Sequence, residues 1–380
     1  MEEWKEYKLG DILNFRRGHD LPKTSMRNGD IPVAGSNGII GYHDTATPMS
    51  PCITIGRSGN VGTPYIYDKC WAHNTVLYID DYKGNDPLYL YYLLKTLPLA
   101  SFGGGSAVPT LNRNHIHPII IKHTPNLETQ KRIASILSSL DDKIELNRKI
   151  NANLEAQAQA LFKSWFVDFE PFKDQPFVES ELGMIPEGWR VGSLSSIADY
   201  INGLAMQKFR PLDGEEGLPV LKIKELGQGS IDDNSELCSP TLIDAKYIIN
   251  DGDIIFSWSG TLMVKVWSGG KCGLNQHLFV VVPKDNPKWF VYHWTRHHLD
   301  NFIRIAKDKA VTMGHIKRGE LDKAKTLIPD TENMRKIDAM MKPLFEQMIT
   351  NELESRRLAS LRDTLLPRLM SGELKVNEVI

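Results

Sequence analysis

Two short motifs have residue types that base-modifying chemistry would use. An enzyme that methylates a base flips it into a pocket with an aromatic ring, and a glycine-rich turn must hold its cofactor. The stretch NDPLY (residues 85–89) lacks the second proline of such a pocket, and SFGGGS (residues 101–106) does not follow a strand. Because Asp86 and Pro87 fit the start of a helix better, we predict no methyl-transfer site.

Metal-dependent hydrolysis is not indicated either. The carboxylate–lysine pairs in EWK (residues 3–5) and ELK (residues 373–375) have no matching Pro-Asp upstream, and NRNHIHP (residues 112–118) lacks further ligands. The cysteines form no CxxC pair, which favours buried thiols over zinc ligands or disulfides; they are Cys52, Cys70, Cys238 and Cys272. We therefore predict a chain without catalytic residues and without a metal site.

Polar side chains gather instead in short loops bracketed by glycine. Arg and Lys can donate to the edge of guanine, Asn and Gln match adenine, and Ser and Thr can bind either base. In the first half of the chain the candidates for such contacts are Ser36, Asn37, Arg57, Ser58, Asn60, His73, Asn74, Thr110, Asn112 and Arg113. In the second half they are Ser259, Asn275, Gln276, His277, Lys309, Thr312, His315 and Lys317.

Eight of these candidates lead the two sets. They are Arg57, Asn74, Asn112 and Arg113 in the first half and Asn275, Gln276, Lys309 and His315 in the second. The alternative is that Asn and His in such turns satisfy nearby backbone groups, and that Lys and Arg only meet solvent. The loops recur at equivalent places in both halves, which favours the loops as binding elements more than any single residue.

The elements that must position these loops occur twice. WKEYKLGDILNFRRG (residues 4–18) aligns with WRVGSLSSIADYING (residues 189–203), pairing Trp4 with Trp189 and Gly18 with Gly203. Further along, KCWAHNTVLYI (from Lys69) aligns with KCGLNQHLFVV (from Lys271), and PNLETQKRI (from Pro125) with PDTENMRKI (from Pro329). The number of residues that separates matched positions changes between these stretches, as insertions in surface loops allow. After the last of them it stays constant, as a helix requires. The order is module, helix, module, helix.

Each module has a mixed pattern. Short β-branched or aromatic runs are separated by Gly, Pro and Asn, which predicts short strands. The stretches 86–97 and 287–303 each begin near a proline and have aromatic residues at helical spacing, which predicts core helices. The fold class is therefore α+β.

The helical segments carry a coiled-coil seam. Apolar residues step by alternating four and three positions from Ile133 to Trp165, and a matching series runs from Ile337 to Leu369. The matched residues Ser139 and Pro343 predict that both helices restart there, because proline disfavours a helix interior and serine is a good N-cap.

Polar residues interrupt both seams midway. They are Asn147 and Asn151 in the first helix and Asn351 and Ser355 in the second. Polar seam residues set register when they meet one another, so we expect antiparallel packing that brings these four together. The alternative is that they face solvent on an imperfect seam.

Bulk properties agree with a soluble, cytoplasmic protein. The sequence has 41% apolar residues, and no apolar run approaches the roughly 18 residues of a membrane span. Lys and Arg number 45 against 47 Asp and Glu, which disfavours a chain wrapped in nucleic acid by bulk charge and leaves room for a local basic face.

Two similar modules tied by antiparallel helices predict internal pseudo-twofold symmetry, with the modules at a defined separation. Such geometry suits double-stranded DNA, whose grooves repeat about every 34 Å. Because the modules differ in sequence, the two sites that they read would differ too.

Several motifs closely resemble the DNA-specificity subunit of type I restriction-modification enzymes. They are PNLETQKRIASILSSLDDKI (from Pro125), ALFKSWFVDFEPF (from Ala160), ELGMIPEGW (from Glu181) and LRDTLLPRLMSGEL (from Leu361). The resemblance covers the whole chain. It implies target-recognition domains at residues 1–125 and 189–328, helical spacers at 126–170 and 329–380, and a linker at 171–188.

The resemblance also implies partners. The subunit would be non-catalytic and bind no cofactor itself, and it would read a bipartite DNA site through the major groove, one half per domain, with the helices setting the gap. It would bind two methyltransferase (modification) subunits, which use S-adenosylmethionine, and restriction/translocase subunits, which use ATP and Mg. Candidate surfaces for docking the methyltransferase subunits are Leu146, Ile150 and Phe162 together with SWFVDF (residues 164–169) and TLLPRLM (residues 364–370). The alternative is that these residues pack on the protein's own modules.

Two other classes of function remain open. A stand-alone methyltransferase would bind S-adenosylmethionine as a pure protein. A coiled-coil scaffold for protein or RNA would give no footprint on double-stranded DNA.

Overall fold

The computed structural model describes residues 4–104, 109–232, 234–308 and 316–378, and its elements repeat in the predicted order. Those of the first module and its helix are β1 (Lys5–Lys8), α1 (Leu9–Ile12), β2 (Asn14–Arg17), β3 (Ile31–Gly35), β4 (Gly38–His43), β5 (Cys52–Gly56), β6 (Pro64–Tyr67), β7 (Trp71–Ala72), β8 (Val76–Asp81), α2 (Pro87–Lys95), α3 (Arg113–Ile116), β9 (Ile120–His123) and α4 (Leu127–Phe166).

A short hairpin, β10 (Phe177–Ser180) with β11 (Gly183–Pro186), precedes the second module. The later elements are β12 (Arg190–Ser193), α5 (Leu194–Ile197), β13 (Ala198–Asn202), β14 (Leu218–Leu221), α6 (Ile223–Gln228), β15 (Leu237–Cys238), β16 (Ile248–Ile249), β17 (Ile254–Ser257), β18 (Met263–Val266), β19 (Cys272–Leu274), β20 (Leu278–Pro283), α7 (Lys288–His297), α8 (Leu299–Asp308), α9 (Gly319–Lys323), β21 (Lys325–Ile328) and α10 (Thr331–Met370).

The two modules have the same main sheet. It is antiparallel, with strand order β2-β8-β5-β6 in the first module and β13-β20-β17-β18 in the second. In both modules the first strand pairs with the last, β1 with β9 and β12 with β21. A parallel pair, β3 with β7 or β14 with β19, completes the correspondence. The α+β class and the duplication predicted from the sequence are thus confirmed.

A glycine ends the first repeated stretch in each module for the same steric reason. A Cβ atom on Gly18 would lie 2.0 Å from the His73 carbonyl oxygen, and one on Gly203 would lie 2.3 Å from that of Asn275. The backbone therefore passes too close to the turn before β8 or β20 for any side chain.

The changing separation between matched positions has a structural cause. In the first module a two-residue turn, Ser36 and Asn37, joins β3 to β4. In the second module the chain after β14 instead forms α6 before it returns as β15, which pairs with β14. The modules share a sheet and differ in the segments around it, as the loop-rich pattern predicts.

The chain forms two compact units. One unit comprises Met1–Lys143 with Leu358–Ile380, and the other comprises Ile144–Arg357. Each unit therefore contains one module, the adjoining part of its own helix and part of the other helix. In the first unit, Leu137 of α4 and Leu369 of α10 are fully buried in the core of the module.

Both long helices are continuous, so the predicted restarts are wrong. Ser139 and Pro343 lie inside the 40-residue helices α4 and α10. The Ser139 hydroxyl donates to the Ile136 carbonyl (2.8 Å) instead of capping a new helix. Met341 and Phe345 on either side of Pro343 are buried in the core, and their burial offsets the roughly 3 kcal/mol that an interior proline costs.

The polar seam residues meet within the second unit as predicted. Asn351 Nδ2 donates to Asn151 Oδ1 (2.8 Å), and Asn147 Nδ2 donates to Glu354 Oε2 (2.7 Å) and to Ser355 Oγ (3.2 Å). Asn147 and Asn351 are 1% and 4% exposed, so the solvent-facing alternative is wrong. Since Asn147 is opposite Ser355 and Asn151 is opposite Asn351, the helices run antiparallel.

The first unit has its own polar contact between the helices. Arg362 donates to Asp141 at 2.5 Å, and the Tyr92 hydroxyl donates to the same carboxylate at 2.7 Å. The contact ties α4 and α10 to α2 of the first module. Burial of the ring raises the pKa of Tyr92, and the hydrogen bond to the Asp141 carboxylate raises it further.

We expect Asn151 and Asn351 to be energetically coupled. Asn351→Ala leaves a part-buried carbonyl oxygen on Asn151 without its donor, which should lower the free energy of unfolding by about 1–3 kcal/mol. A double-mutant cycle with Asn151→Ala, measured by urea unfolding, should give a coupling energy of at least about 0.5 kcal/mol. The matched control pairs Asn351→Ala with Lys149→Ala, because the Lys149 side chain is 68% exposed and should show no coupling. If the changes in unfolding free energy are additive in both cycles, the prediction is contradicted.

Most of the apolar residues left open as docking surface pack on the protein's own modules. Phe162 is 6% exposed, and Trp165 and Phe166 accompany it in the core of the second unit. Leu146 (49%) and Ile150 (37%) remain exposed. No helix among the described residues combines the length and apolarity that crossing a bilayer requires.

Candidate nucleic-acid interface

The loop after β5 holds Arg57 in a well-defined backbone position. Its N–H donates to the Thr75 carbonyl (2.8 Å), and its own carbonyl accepts the Leu111 N–H (2.7 Å). Gly59 and Gly62 have φ values of +84° and +83°, which glycine adopts without strain. The Arg57 side chain is half-buried and makes no hydrogen bond or ion pair to the residues that the structure describes. Its guanidinium is therefore positioned and available.

Arg57 belongs to a basic pocket of 390 Å³ in the first module. The pocket is lined by Arg16, Arg17, Arg57, Leu77, Thr110, Leu111, Asn112 and Arg113. Arg16 and Arg17 end β2 and are exposed, while Leu77 and Leu111 form a buried floor. Asp20 pairs with Arg17 at 3.4 Å through exposed side chains, an interaction that solvent screens. Four guanidinium groups in one pocket of a chain with net charge −2 indicate an anionic ligand.

Three members of the leading set have local structural roles. Arg113 Nη1 donates to the Phe15 carbonyl (3.2 Å), and the Asn112 side chain caps α3 by accepting the Asn114 N–H (3.0 Å). Asn74 donates to the Asp20 carboxylate, and His73 Nδ1 lies 3.1 Å from the Thr75 hydroxyl. Burial lowers the pKa of His73. These contacts agree with the alternative that turn residues satisfy nearby groups.

The remaining candidates of the first module belong to the loop that contains Arg57 or lie in turns close to it. Ser36 and Asn37 form the β3–β4 turn, and a Cβ atom on Gly56 would lie 3.4 Å from the Ser36 Cβ. Ser58 and Thr110 form a backbone bridge, and the side-chain oxygen Oδ1 of Asn60 accepts from the Thr63 hydroxyl (3.3 Å).

The second module has a pocket of 340 Å³ at the same place. It is lined by Asn202, Trp258, Phe279, Ile316, Lys317 and Arg318. Trp258 Nε1 donates to Asn202 Oδ1 (2.9 Å), and the Trp258 and Phe279 rings lie 5.7 Å apart. Lys317 is exposed at the pocket. This lining is aromatic where the other is basic.

Strand pairing shows that the two pockets are equivalent. Gly56 pairs with Val76 and Ser257 pairs with Leu278, so the next residues, Arg57 and Trp258, correspond. In the same way Leu77 corresponds to Phe279. Arg318 donates to the Tyr200 carbonyl (2.8 Å) as Arg113 does to that of Phe15. Through these hydrogen bonds each guanidinium connects the last loop of its pocket to the first strand of the main sheet, β2 or β13.

The candidates in the second module differ in access. Ser259 and Asn275 are 4% and 7% exposed and are therefore buried in the fold, whereas Gln276 and His277 are half-buried. Ser259 Oγ lies 3.3 Å from His277 Nδ1, and Asn275 Oδ1 accepts the His277 N–H (3.2 Å). Lys309, Thr312 and His315 lie outside the described residues.

Among the polar and aromatic residues that line the two pockets, the sequence candidates omit Arg16, Arg17, Asn202, Trp258, Phe279 and Arg318. A signal for the first two existed, because they end the repeated stretch directly before Gly18. Trp258 was overlooked because tryptophan is more often a core residue than a reader of bases.

The motif NDPLY starts a helix, as expected. Asp86 accepts the Tyr89 N–H (2.8 Å) as the N-cap of α2, and Tyr89 is fully buried. A buried ring cannot stack on a flipped base. No group of His, Cys, Asp or Glu able to hold a metal ion occurs among the described residues.

The chain is a duplicated α+β module in which each copy is followed by a 40-residue helix. The chain belongs to the family of type I restriction-modification DNA specificity domains, whose model matches residues 1–156 and 186–361.

Particular relatives agree with this family. The MjaIX specificity subunit from Methanocaldococcus jannaschii is 32% identical over 305 residues, covering 77% of this chain and 70% of the relative. The HindI specificity subunit from Haemophilus influenzae is 25% identical and covers 98% of this chain and all of the relative. The crystal structure of a type I S subunit from M. genitalium has the same fold, with a TM-score of 0.61, 17% identity and coverage of 97% of this chain and 96% of that one.

Proposed function

We propose that this chain is the non-catalytic subunit that reads a bipartite DNA site for a type I restriction-modification complex. Each pocket, with the loops around it, contacts one half of the site through the major groove. The observation that carries the proposal is the pair of equivalent pockets with unlike linings, because one scaffold with two different linings can read two different sequences.

Chemistry would reside in the partners. Two methyltransferase subunits bind S-adenosylmethionine, restriction and translocase subunits use ATP and Mg, and the complex acts in the cytoplasm. The exposed residues Leu146 and Ile150 of α4 are candidates for docking the methyltransferase subunits. Since the chain has net charge −2, its own affinity for DNA should be weak. The methyltransferase subunits would supply further contacts to the DNA phosphates.

We expect the purified complex with its methyltransferase to select two short sequences separated by a constant gap from random duplex DNA. The helices set this gap, so inserting one heptad after Lys149 and one after Leu353 lengthens them by about 10 Å. The selected gap should then grow by roughly three base pairs while both half-sites stay the same.

The same seven residues inserted at the β10–β11 turn, between Ser180 and Gly183, provide the control and should leave the gap unchanged. Selection of a single uninterrupted sequence, or of none, rejects the proposed function.

A further inference from the structure

One position differs most in chemistry between the two equivalent pockets. It is the first residue after the third strand in the order of the main sheet, Arg57 after β5 and Trp258 after β17. In both modules its carbonyl accepts an N–H from a buried apolar residue of the last loop, Leu111 at 2.7 Å or Ile316 at 3.2 Å. The backbone is thus held alike, and only the side chain changes.

Arg57 is suited to a ligand with two adjacent acceptors. Arg113 is occupied by the Phe15 carbonyl and Arg17 faces Asp20, whereas the Arg57 guanidinium has no partner among the described residues. Guanine presents O6 and N7 together in the major groove, and arginine is the side chain that matches them with two parallel hydrogen bonds. Exposed Arg16 and Arg17 on the pocket rim are suited to the neighbouring phosphates.

We propose that Arg57 is the specificity-determining residue of the first module and selects a guanine in one half-site. The inference rests on the proposed function and deepens it.

The inference is tested by selection from random duplex DNA with the complex carrying Arg57→Gln. The guanine at one position of one half-site should lose about 10- to 100-fold in preference, with adenine gaining, because glutamine matches adenine. Arg57→Lys should retain a weaker preference for guanine. The half-site of the second module stays unchanged in both variants, which shows that the complex is folded.

Two outcomes overturn the inference while the proposed function stands: an unchanged bipartite motif with Arg57→Gln, or a uniform loss of binding at every sequence, which marks a phosphate contact. If the unaltered complex selects no bipartite motif, the proposed function itself fails.

Discussion

Replacing Phe166 by alanine should lower the free energy of unfolding of the second unit by about 3–5 kcal/mol. Phe166 is the last residue of α4 and is 2% exposed. Its ring lies 4.9 Å from that of Phe162, 5.5 Å from that of Trp189 and 5.6 Å from that of Phe290. Truncation removes these aromatic contacts and leaves a cavity that fully buried neighbours cannot fill.

The next residue along the chain provides the control. Val167 is 45% exposed, so Val167→Ala should change stability by less than about 0.5 kcal/mol. Urea unfolding followed by tryptophan fluorescence suits the measurement, because Trp165, Trp189 and four further tryptophans lie in this unit. Similar losses for the two variants would show that the end of α4 is not anchored in the module.

Acidification from pH 7.5 to 5.0 should destabilise the second unit, and His293 should account for about 2 kcal/mol of the loss. His293 on α7 is 4% exposed, stacks on Phe162 at 5.7 Å, and has an Nε2 without a hydrogen-bond partner among the described residues. Burial, and then the charge of Arg296, lower the pKa of His293 to about 3 from its ordinary value of 6.5.

The direction follows from proton binding. Below pH 6.5 the unfolded chain takes up a proton on His293 that the folded chain refuses until about pH 3. The contribution of His293 to the free energy of unfolding is therefore fully present above about pH 6.5. Below that pH it falls by about 1.4 kcal/mol per pH unit. Burial also lowers the pKa values of His297 and His298, which act in the same direction.

The contribution of His293 can be isolated by comparing variants. His293→Phe removes the titrating group, so its urea midpoint should fall less between pH 7.5 and 5.0 than that of the parent. His115→Gln alters an exposed histidine and should show the full loss of the parent. An equal pH dependence for parent and His293→Phe would mean that other groups govern acid sensitivity.

The helices and the duplication could be predicted because both depend on local pattern. The seam residues from Ile133 to Trp165 recur with helical period, and none of them is exposed in the structure. The continuity through Pro343 could not be predicted, because it depends on burial of Met341 and Phe345 against a module distant in sequence.

The pockets were harder to predict because four separate segments build each of them. The loops containing Arg57 and Arg113 were found from their glycines and polar residues, but the correspondence of Arg57 with Trp258 requires knowing how the strands pair. The burial of Asn275 likewise depends on the parallel bridge to Leu204, which the order of residues does not reveal.

The make-up of the two units has a consequence for biosynthesis. The first unit needs Leu366, Leu369 and Val376 in its core, whereas the second unit is a single uninterrupted segment. During translation residues 1–143 must wait, with apolar surface uncovered, until residues 358–376 have left the ribosome, whereas the second unit can fold before then. Nascent chains that stop before residue 358 should hence carry a finished second unit beside an aggregation-prone first one.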